Sequence, residues 1–394
     1  MRMLYGKQLP DTKRIQELGL LAVKIGQVYA LRPDFLTPEK CLALSSLYRN
    51  ATVSNTTDVS KLLRQDAPNL MANLSSFDDV PFASASVGQV HRATLRGGEA
   101  VAVKLLKADV ADSFRADVAS VKRLFRIATI LYPKLSGVAN PVELIGQIEK
   151  MTVAELDLRN EVAGYTTLRT IRDEGMKHYD LSMVHFPHVF EELSNERSLV
   201  AEYLPYPTMD ELLSRGELSY EHLLLFFRAH GYFMYAAGVF HGDIHPGNIM
   251  VAPNGNFYFL DAGYISHVSD RLRLGLARFF DALCRYDFAR AAAGLHAMSD
   301  VQLAPEAYAA YEKGFLSLYD GFADKTAEQM SLTKKMMETI RHGVLSGMRF
   351  SEGMFDIIKS HMYLDGMVLR AHPQAKLLAD MVPAIDELKP MIGI

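Results

Sequence analysis

The segment from residue 241 to residue 263 constrains the fold more than any other part of the sequence. It opens with the polar run His-Gly-Asp-Ile-His-Pro-Gly-Asn, continues with two short apolar runs on either side of a Pro-Asn-Gly-Asn turn, and closes with Asp-Ala-Gly. Apolar runs that flank such a turn predict a β-hairpin. The hairpin would carry Asp261 back towards Asp243 and Asn248, so that three oxygen-bearing side chains converge.

The types and spacing of these three side chains suit phosphoryl transfer. That reaction needs a carboxylate to orient the attacking hydroxyl, and oxygen ligands to hold Mg²⁺ against the phosphates. Asp243 fits the first role, as the candidate catalytic residue. Asn248 and Asp261 fit the second, as candidate metal ligands, at the spacing of a kinase catalytic loop and its Asp-x-Gly motif.

Two other interpretations of the segment are weaker. Either polar half alone could be a set of turn residues, but a hairpin of the right length joining both halves favours a site. His241 and His245 are four residues apart, which would suit a zinc site on a helix. Gly242 and the Pro-Gly pair after His245 argue against a helix there.

A second set of candidate residues lies upstream. The strand Ala-Val-Ala-Val-Lys ends at Lys104 and matches the kinase strand whose lysine contacts the α- and β-phosphates, with a helix carboxylate as partner. We predict Glu161 as that carboxylate. A lysine that ends an apolar strand is ordinarily a surface residue, and the downstream segment favours the catalytic interpretation. The candidate nucleotide contacts are Ala83, Ser84, Ala85, Ser86, Val87, Lys104, Glu202 and Leu204.

The loop before this strand is rich in alanine and serine where a protein kinase carries three glycines. Glycine lets backbone amides approach phosphates, whereas alanine and serine restrict φ and add Cβ bulk. We therefore expect the chain to handle its nucleotide differently from an ordinary protein kinase.

Periodicity and turn signals predict an α+β chain. Helices are expected at 11–31, 38–48, 57–70, 110–131 and 140–172, the last capped by Asn140, and short strands at 183–189 and 198–203. A hairpin turn is expected at 96–99. Pro205 and Pro207 predict a hinge between two lobes. Beyond Met209 the pattern predicts helices, apart from the 241–263 segment. A new helix is expected to begin at Ser269 or Asp270.

Composition excludes several classes of function. The formal net charge of −4 offers no basic field for DNA or RNA, so no nucleic-acid partner is expected. Two cysteines, Cys41 and Cys284, rule out a disulfide framework and indicate a reducing compartment. No apolar run reaches the length of a membrane span, and the amino terminus lacks a signal-peptide core, so a cytoplasmic protein is expected, with peripheral membrane contact at most.

Several motifs together resemble the UbiB/AarF/ADCK family of atypical protein-kinase-like proteins. They are the alanine-rich loop before the Lys104 strand, a Lys-x-Gly-Gln helix at 24–27 followed by Leu-Arg-Pro-Asp, a Glu-Leu-Asp run at 155–157, and the 241–248 loop. The resemblance implies a bilobal kinase-like fold whose helical extension, 1–75, packs over the active site, followed by an N-lobe, 76–205, and a helical C-lobe, 206–394.

The same resemblance implies particular contacts and an activity. Lys24 and Gln27 should meet Glu155 and Asp157 as an occluding, regulatory contact. ATP and Mg²⁺ are the implied cofactors, with an ATPase or kinase activity towards a small or lipid-like molecule of isoprenoid-quinone metabolism rather than towards proteins. The absence of a terminal apolar span weakens the link to the quinone pathway.

Departures from kinases at large also favour a non-protein substrate. Gly242 stands where the family usually has alanine and where many protein kinases have the arginine that senses activation-loop phosphorylation. No Ala-Pro-Glu motif separates Gly263 from the next helix. Two alternatives stay open: a small-molecule kinase of the aminoglycoside or choline type, which shares the His-Gly-Asp loop, and a nucleotide-binding pseudokinase scaffold.

Overall fold

The structure is a computed structural model that describes residues 8–30, 36–48, 59–84, 87–107, 110–131, 141–351 and 353–394. The described residues fall into two compact units. The first unit draws on 1–30, 43–166 and 187–205, and the second on 31–42, 167–186 and 206–394. The three-part division inferred from the sequence stays a prediction.

A five-stranded antiparallel sheet forms the first unit's framework. Its strands are β1 (Leu74–Phe77), β2 (Ala83–Ser84), β3 (Gly88–Leu95), β4 (Ala100–Leu106) and β6 (Ser198–Glu202), in the order β1-β3-β4-β6 with β2 also on β3. β3 and β4 form the hairpin that the turn at 96–99 predicted, with Thr94 opposite Ala100. Strand β1 was not predicted.

The two faces of strand β4 have different neighbours because side chains alternate along a strand. Val101, Val103 and Leu105 lie in an apolar cluster with residues of β3 and β6 and of the helices just before the sheet. Lys104, between two of these residues, therefore points to the opposite face. The alternation therefore places Lys104 on the face of the sheet opposite its apolar core.

The helices of the amino-terminal half are α1 (Thr12–Glu17), α2 (Leu20–Ala30), α3 (Pro38–Ser45), α4 (Val59–Asp66), α5 (Pro68–Asn73), α6 (Val110–Leu131), α7 (Pro141–Glu155) and α8 (Arg159–Gly175). Helices α2, α6 and α7 share an apolar cluster around Phe114 and Val118, with Leu21 from α2. This cluster fixes the helix that carries the Lys-x-Gly-Gln motif against α7, at whose end the Glu-Leu-Asp run begins.

Two of the predicted helices are in fact interrupted. The prediction of one helix over 11–31 was wrong because Gly19 adopts a φ of +96°, a conformation that favours glycine and ends a helix. Leu18, expected on the apolar stripe, is instead exposed. The predicted helix over 140–172 is also two helices, and its expected cap, Asn140, lies outside the described residues.

Local hydrogen bonds explain the second break. Asp157 accepts a hydrogen bond from the backbone of Arg159, and Asn160 donates to the carbonyl of Ala154. The Leu158 N–H donates to Glu196 rather than to a helical carbonyl. Side chains of this kind compete with helical hydrogen bonds, so the Glu-Leu-Asp run spans a helix end.

The second unit contains two small sheets. β5 (Val184–His185), β9 (Phe257–Phe259) and β8 (Ile249–Val251) form one, and β7 (Val239–His241) with β10 (Ile265–His267) forms the other. β8 and β9 are the predicted hairpin, and Ile249 pairs with Phe259. β5 is only a fragment of the strand predicted over 183–189, and it pairs with β9 rather than with the larger sheet.

The helices of the carboxy-terminal part are α9 (Met209–Arg215), α10 (Tyr220–Gly231), α11 (Asp270–Cys284), α12 (Phe288–Met298), α13 (Pro305–Leu318), α14 (Leu332–Leu345), α15 (Gly353–Ala371), α16 (Leu377–Asp380) and α17 (Val382–Ile392). Helix α11 begins at the predicted place, with Ser269 capping it. Among the residues that the structure describes, no helix is long and apolar enough to cross a membrane.

Candidate functional site

The loop from residue 241 to residue 248 is held by the imidazole of its first residue. His241 is buried, and its Nδ1 accepts a hydrogen bond from the Asp243 N–H at 3.1 Å. Its Nε2 therefore carries the proton and donates to the Leu260 carbonyl at 2.8 Å. Burial lowers the pKa of His241, which keeps the ring neutral. Both ring nitrogens of His241 are hydrogen-bonded to backbone groups, so neither is left to bind zinc.

The hairpin of β8 and β9 brings the two candidate metal ligands close together. The Leu260 N–H donates to the Asn248 carbonyl at 2.8 Å, which places Asp261 beside Asn248. The Asn248 amide donates to the Asp243 carbonyl at 3.0 Å, and this bond fixes the amide plane. Asp261 has a φ of +55°, a left-handed conformation that aspartate tolerates better than most residues and that recurs at functional sites.

The donor chemistry of these residues fits a hard divalent cation. Mg²⁺ takes oxygen ligands, and it commonly binds one or two carboxylates together with substrate phosphates. The Asn248 amide nitrogen already donates to Asp243, so the amide oxygen is the atom left for a metal. Asp261 contributes a carboxylate next to it. Asn248 and Asp261 would therefore hold the ion, and it would neutralise phosphate charge there.

Asp243 lies in a mixed environment that keeps it ionised. Burial by itself would raise its pKa, but the charge and hydrogen bond of Lys359 outweigh that effect and lower the pKa to about 2. Lys359 Nζ lies 2.9 Å from Oδ1, and the Tyr363 hydroxyl donates to the same oxygen at 3.0 Å. In the described part of the chain no donor lies on Oδ2, and about a third of the side chain, 35%, is exposed.

The residue before Asp243 is a glycine for a steric reason. A Cβ on Gly242 would lie 2.3 Å from Cδ1 of the Tyr264 ring and 3.2 Å from the Tyr264 carbonyl oxygen. The Gly242 N–H also donates to that carbonyl at 2.9 Å. The Tyr264 ring thus occupies the space that the arginine of many protein kinases would need.

In the first unit, the structure brings Lys104 and Glu161 together. Lys104 Nζ lies 2.7 Å from Glu161 Oε2, and both side chains are buried, with exposures of 10% and 5%. The Tyr165 hydroxyl donates to the other carboxylate oxygen at 3.2 Å. Glu161 is placed by its position in the first turn of α8, just after the break at 156–158. This pair has the geometry expected for a phosphate-aligning lysine.

The candidate nucleotide contacts are described only in part. Ala83 and Ser84 form β2, opposite Val90 and Gln89, and Val87 is buried, whereas Ala85 and Ser86 lie outside the described residues. Glu202 ends strand β6 opposite Val101.

The chain leaves the sheet just after Glu202. The Tyr203 N–H donates to Ala100, whereas the Leu204 N–H donates to no acceptor in the residues that the structure covers. Leu204 itself is buried. The Leu204 N–H is therefore available for a hydrogen bond to a ligand.

Of the contacts predicted between the Lys-x-Gly-Gln helix and the Glu-Leu-Asp run, the described residues show the one from Lys24 to Glu155, and its regulatory role stays a prediction. Lys24 Nζ bonds both Glu155 oxygens, at 2.5 and 2.7 Å, across α2 and the end of α7. Gln27 donates to the Leu47 carbonyl at 3.0 Å. Asp157 binds the Arg159 guanidinium, whose hydrogen bonds lower the pKa of the carboxyl group. The Lys-x-Gly-Gln helix is thus tied to the Glu-Leu-Asp run through Lys24.

The sequence did not reveal the contribution of helix α15. Asp356, Lys359 and Tyr363 lie on one face of it, at spacings of three and four residues. Lys359 and Tyr363 bind Asp243, and Asp356 accepts hydrogen bonds from Tyr264 and Ser266. The spacing of these three polar residues along one helix face was the available signal, but nothing local linked it to a loop more than a hundred residues upstream.

An antiparallel sheet that carries a buried lysine paired with a helix glutamate, and a helical unit that groups Asp243, Asn248 and Asp261 around a hairpin, define an α+β protein of the kinase-like class. The family model described as the ABC1 atypical kinase-like domain matches residues 46–294. The chain belongs to this family.

Individual proteins are similar to the chain over most of its length. An uncharacterized protein in the hydrogenase 1 5′ region of Clostridium pasteurianum is 24% identical, over 96% of this chain and 71% of its own. A probable protein kinase UbiB of Shewanella pealeana is 27% identical, over 95% of this chain and 68% of its own length. The solved complex of Rv3197 with erythromycin from Mycobacterium tuberculosis is 21% identical, with a TM-score of 0.49, over 92% of this chain and 95% of that one.

Proposed function

We propose that the chain is an ATP- and Mg²⁺-dependent atypical kinase or ATPase that acts on, or assists the handling of, a small or lipid-like molecule such as an isoprenoid or phenol. The observation that carries the proposal is the grouping in the second unit. An ionised Asp243, whose Oδ2 faces no donor among the described residues, lies beside Asn248 and Asp261. Family membership supports the kinase-like part.

Each unit supplies separate parts of this activity. In the first unit, Lys104 would bind the α- and β-phosphates, held in place by Glu161. In the second, Asn248 and Asp261 would hold Mg²⁺, which neutralises charge on the phosphates when bound. Asp243 would orient the acceptor. Most of the rate enhancement would come from alignment and electrostatics, because little covalent chemistry falls to the protein.

Transfer of the γ-phosphoryl group from ATP to the acceptor oxygen needs no further reactant. The acceptor oxygen, from a hydroxyl or from water, forms a bond to the γ-phosphorus while the bond from that phosphorus to the bridging oxygen of ADP breaks. The acceptor proton passes to Asp243 Oδ2 and then to solvent. A carboxylate with a pKa of about 2 is a weak base, so it orients the hydroxyl and takes the proton late in the transfer.

The connection after the Asp-Ala-Gly motif favours a substrate other than a protein. Tyr264 leads directly into β10, which pairs with β7, and α11 begins at Asp270. Tyr264 is itself bonded to Asp356. The stretch at 264–269 therefore consists of a paired strand and a helix cap, and it leaves little backbone to receive a peptide.

ADP release from the purified chain tests the proposal. The assay contains ATP and Mg²⁺, with and without a detergent-solubilised isoprenoid or phenolic compound. We expect turnover that the apolar compound raises and that Asp243→Asn abolishes, with Asp320→Asn, an exposed aspartate in the same unit, as the matched control. Asp261→Asn should remove Mg²⁺-dependent nucleotide binding.

The outcomes separate the alternatives. Nucleotide binding without turnover under any condition would favour a pseudokinase scaffold. Turnover that rises with an amino sugar or choline, but not with the apolar compound, would favour the small-molecule kinase. Unchanged magnesium dependence in Asp261→Asn would overturn the metal assignment.

A further inference from the structure

Helix α15 presents a polar face to the two motif segments of the second unit. Lys359 and Tyr363 both contact Oδ1 of Asp243, at 2.9 and 3.0 Å. One turn earlier, Asp356 accepts a hydrogen bond from the Tyr264 hydroxyl, which lies 2.9 Å from both carboxylate oxygens, and one from Ser266 at 2.6 Å. A single helix therefore binds both the candidate catalytic loop and the segment after the Asp-Ala-Gly motif.

The two residues that contact Asp243 Oδ1, Lys359 and Tyr363, differ in charge. Tyr363 is a neutral donor, and its hydrogen bond is enough to fix the orientation of the carboxylate. Lys359 adds a positive charge that orientation alone does not require, and its side chain is only 12% exposed. In the described residues it is the cation that pairs with Asp243, in a group that also contains the carboxylates of Asp261 and Asp356.

The Lys359 ammonium lies close to where the negatively charged γ-phosphoryl group of a bound nucleotide would be during transfer. The acceptor oxygen on Asp243 must lie within bonding distance of the γ-phosphorus at the moment of transfer. A lysine 2.9 Å from Oδ1 is then close to the phosphoryl oxygens as well. The ammonium is a compact donor on a flexible stem, so it can bind a carboxylate and a phosphoryl oxygen at once.

We propose that Lys359 binds the γ-phosphoryl group of the nucleotide, while Tyr363 positions Asp243. The inference rests on the proposed function and extends it, because it assigns a phosphate-binding residue to a helix downstream of the recognised motifs. The contact is specific to the γ-phosphoryl group, so it discriminates a triphosphate from a diphosphate.

Binding of two nucleotides tests this assignment without requiring turnover. Affinities for Mg²⁺ with the non-hydrolysable β,γ-imido analogue of ATP, and for Mg²⁺ with ADP, are measured by calorimetry. Lys359→Met keeps the apolar stem and removes the charge. We expect it to weaken binding of the triphosphate analogue about tenfold or more, the effect of one charge-assisted hydrogen bond to phosphate, and to leave ADP within about twofold.

Three variants give the test its controls. Lys376→Met removes an exposed lysine that pairs with Asp324 in the same unit, and both affinities should stay unchanged. Lys359→Arg keeps the charge and should retain most of the preference for the triphosphate. Tyr363→Phe should lower kcat for ADP release and leave the affinity for both nucleotides unchanged, because it acts through Asp243.

The possible outcomes distinguish failure of the Lys359 assignment from failure of the proposed ATP-dependent activity. Equal losses for ADP and the triphosphate analogue in Lys359→Met would mean a structural role, and so would loss of the preference in a folded Lys359→Arg. If Lys359→Met does not fold, Lys359→Arg and Lys359→Gln decide by the same comparison. A wild-type chain that binds neither nucleotide would overturn the proposed function and this inference with it.

Discussion

Replacing Gly242 with alanine should destabilise the loop that carries Asp243. The new Cβ would lie 2.3 Å from the Tyr264 ring, and carbon atoms normally approach to about 3.5 Å, so the ring must retreat by roughly 1.2 Å. The Tyr264 hydroxyl donates a hydrogen bond to the Asp356 carboxylate, at 2.9 Å from both oxygens, and this hydrogen bond resists that movement. Overpacking costs about 1–3 kcal/mol and loss of a hydrogen bond to a charged group about 1.5–3 kcal/mol, so together we expect a loss of about 2.5–6 kcal/mol.

A double-mutant cycle separates the clash from other effects of the substitution. Urea denaturation followed by far-ultraviolet circular dichroism gives the free energy of unfolding. The rate of ADP release shows whether the loop that carries Asp243 still supports turnover. Tyr264→Phe keeps the ring and removes only the hydroxyl. Gly242→Ala combined with Tyr264→Ala should cost less than the sum of the single changes, because the clash has gone. Additive costs, or a Gly242→Ala chain as stable as wild type, would refute the steric argument.

Three further predictions concern charges elsewhere in the chain. Lys104→Met should lower the free energy of unfolding in urea by about 3–5 kcal/mol because the buried Glu161 carboxylate loses the charge of its lysine. Lys104→Met with Glu161→Leu should recover most of the stability but no nucleotide affinity; equal stabilities of the single and double variants would contradict this. Lys24→Ala should cost about 1 kcal/mol or less yet raise ADP release, whereas Lys122→Ala, which breaks another lysine–glutamate pair of the first unit, should leave turnover unchanged. Burial lowers the pKa of His230 to about 3, so below about pH 6.5 the unfolded chain binds a proton at this residue that the folded chain does not. His230 should therefore contribute about 1.4 kcal/mol per pH unit to the loss of stability between about pH 6.5 and pH 3. His230→Phe should reduce the slope of stability against pH by that amount, and an unchanged slope would exclude this contribution.

The sequence predicted those parts of the site that rest on local pattern. The apolar runs around the Pro-Asn-Gly-Asn turn are sufficient to specify the β8–β9 hairpin, and with it the approach of Asp261 to Asn248. The β3–β4 hairpin followed from a similar turn. The lysine of the Ala-Val-Ala-Val-Lys run was predicted to lie on a strand, and β4 carries it. Each of these inferences involves contacts between residues close in the chain.

The rest depended on contacts that local patterns do not encode. The partners of Asp243 come from α15, and no periodicity in the loop refers to that helix. The break at Gly19 depended on one glycine adopting a positive φ, which the surrounding apolar residues concealed. The break before Glu161 depended on hydrogen bonds to Glu196 and Ala154. Tertiary contacts decided the partners of Asp243 and, through Glu196, part of the break before Glu161, whereas the break at Gly19 is a local backbone conformation.

The distance along the chain between Asp243 and its partners has a consequence for synthesis on the ribosome. Tyr363 is 120 residues downstream of Asp243. At typical translation rates those residues take roughly 6–24 s to add, and over that interval the nascent loop has its aspartate but not the helix that orients it. The polypeptide would acquire competence for transfer only after α15 emerges, so unfinished chains would not consume ATP. A fragment trimmed to the matched family domain would have the same deficit permanently.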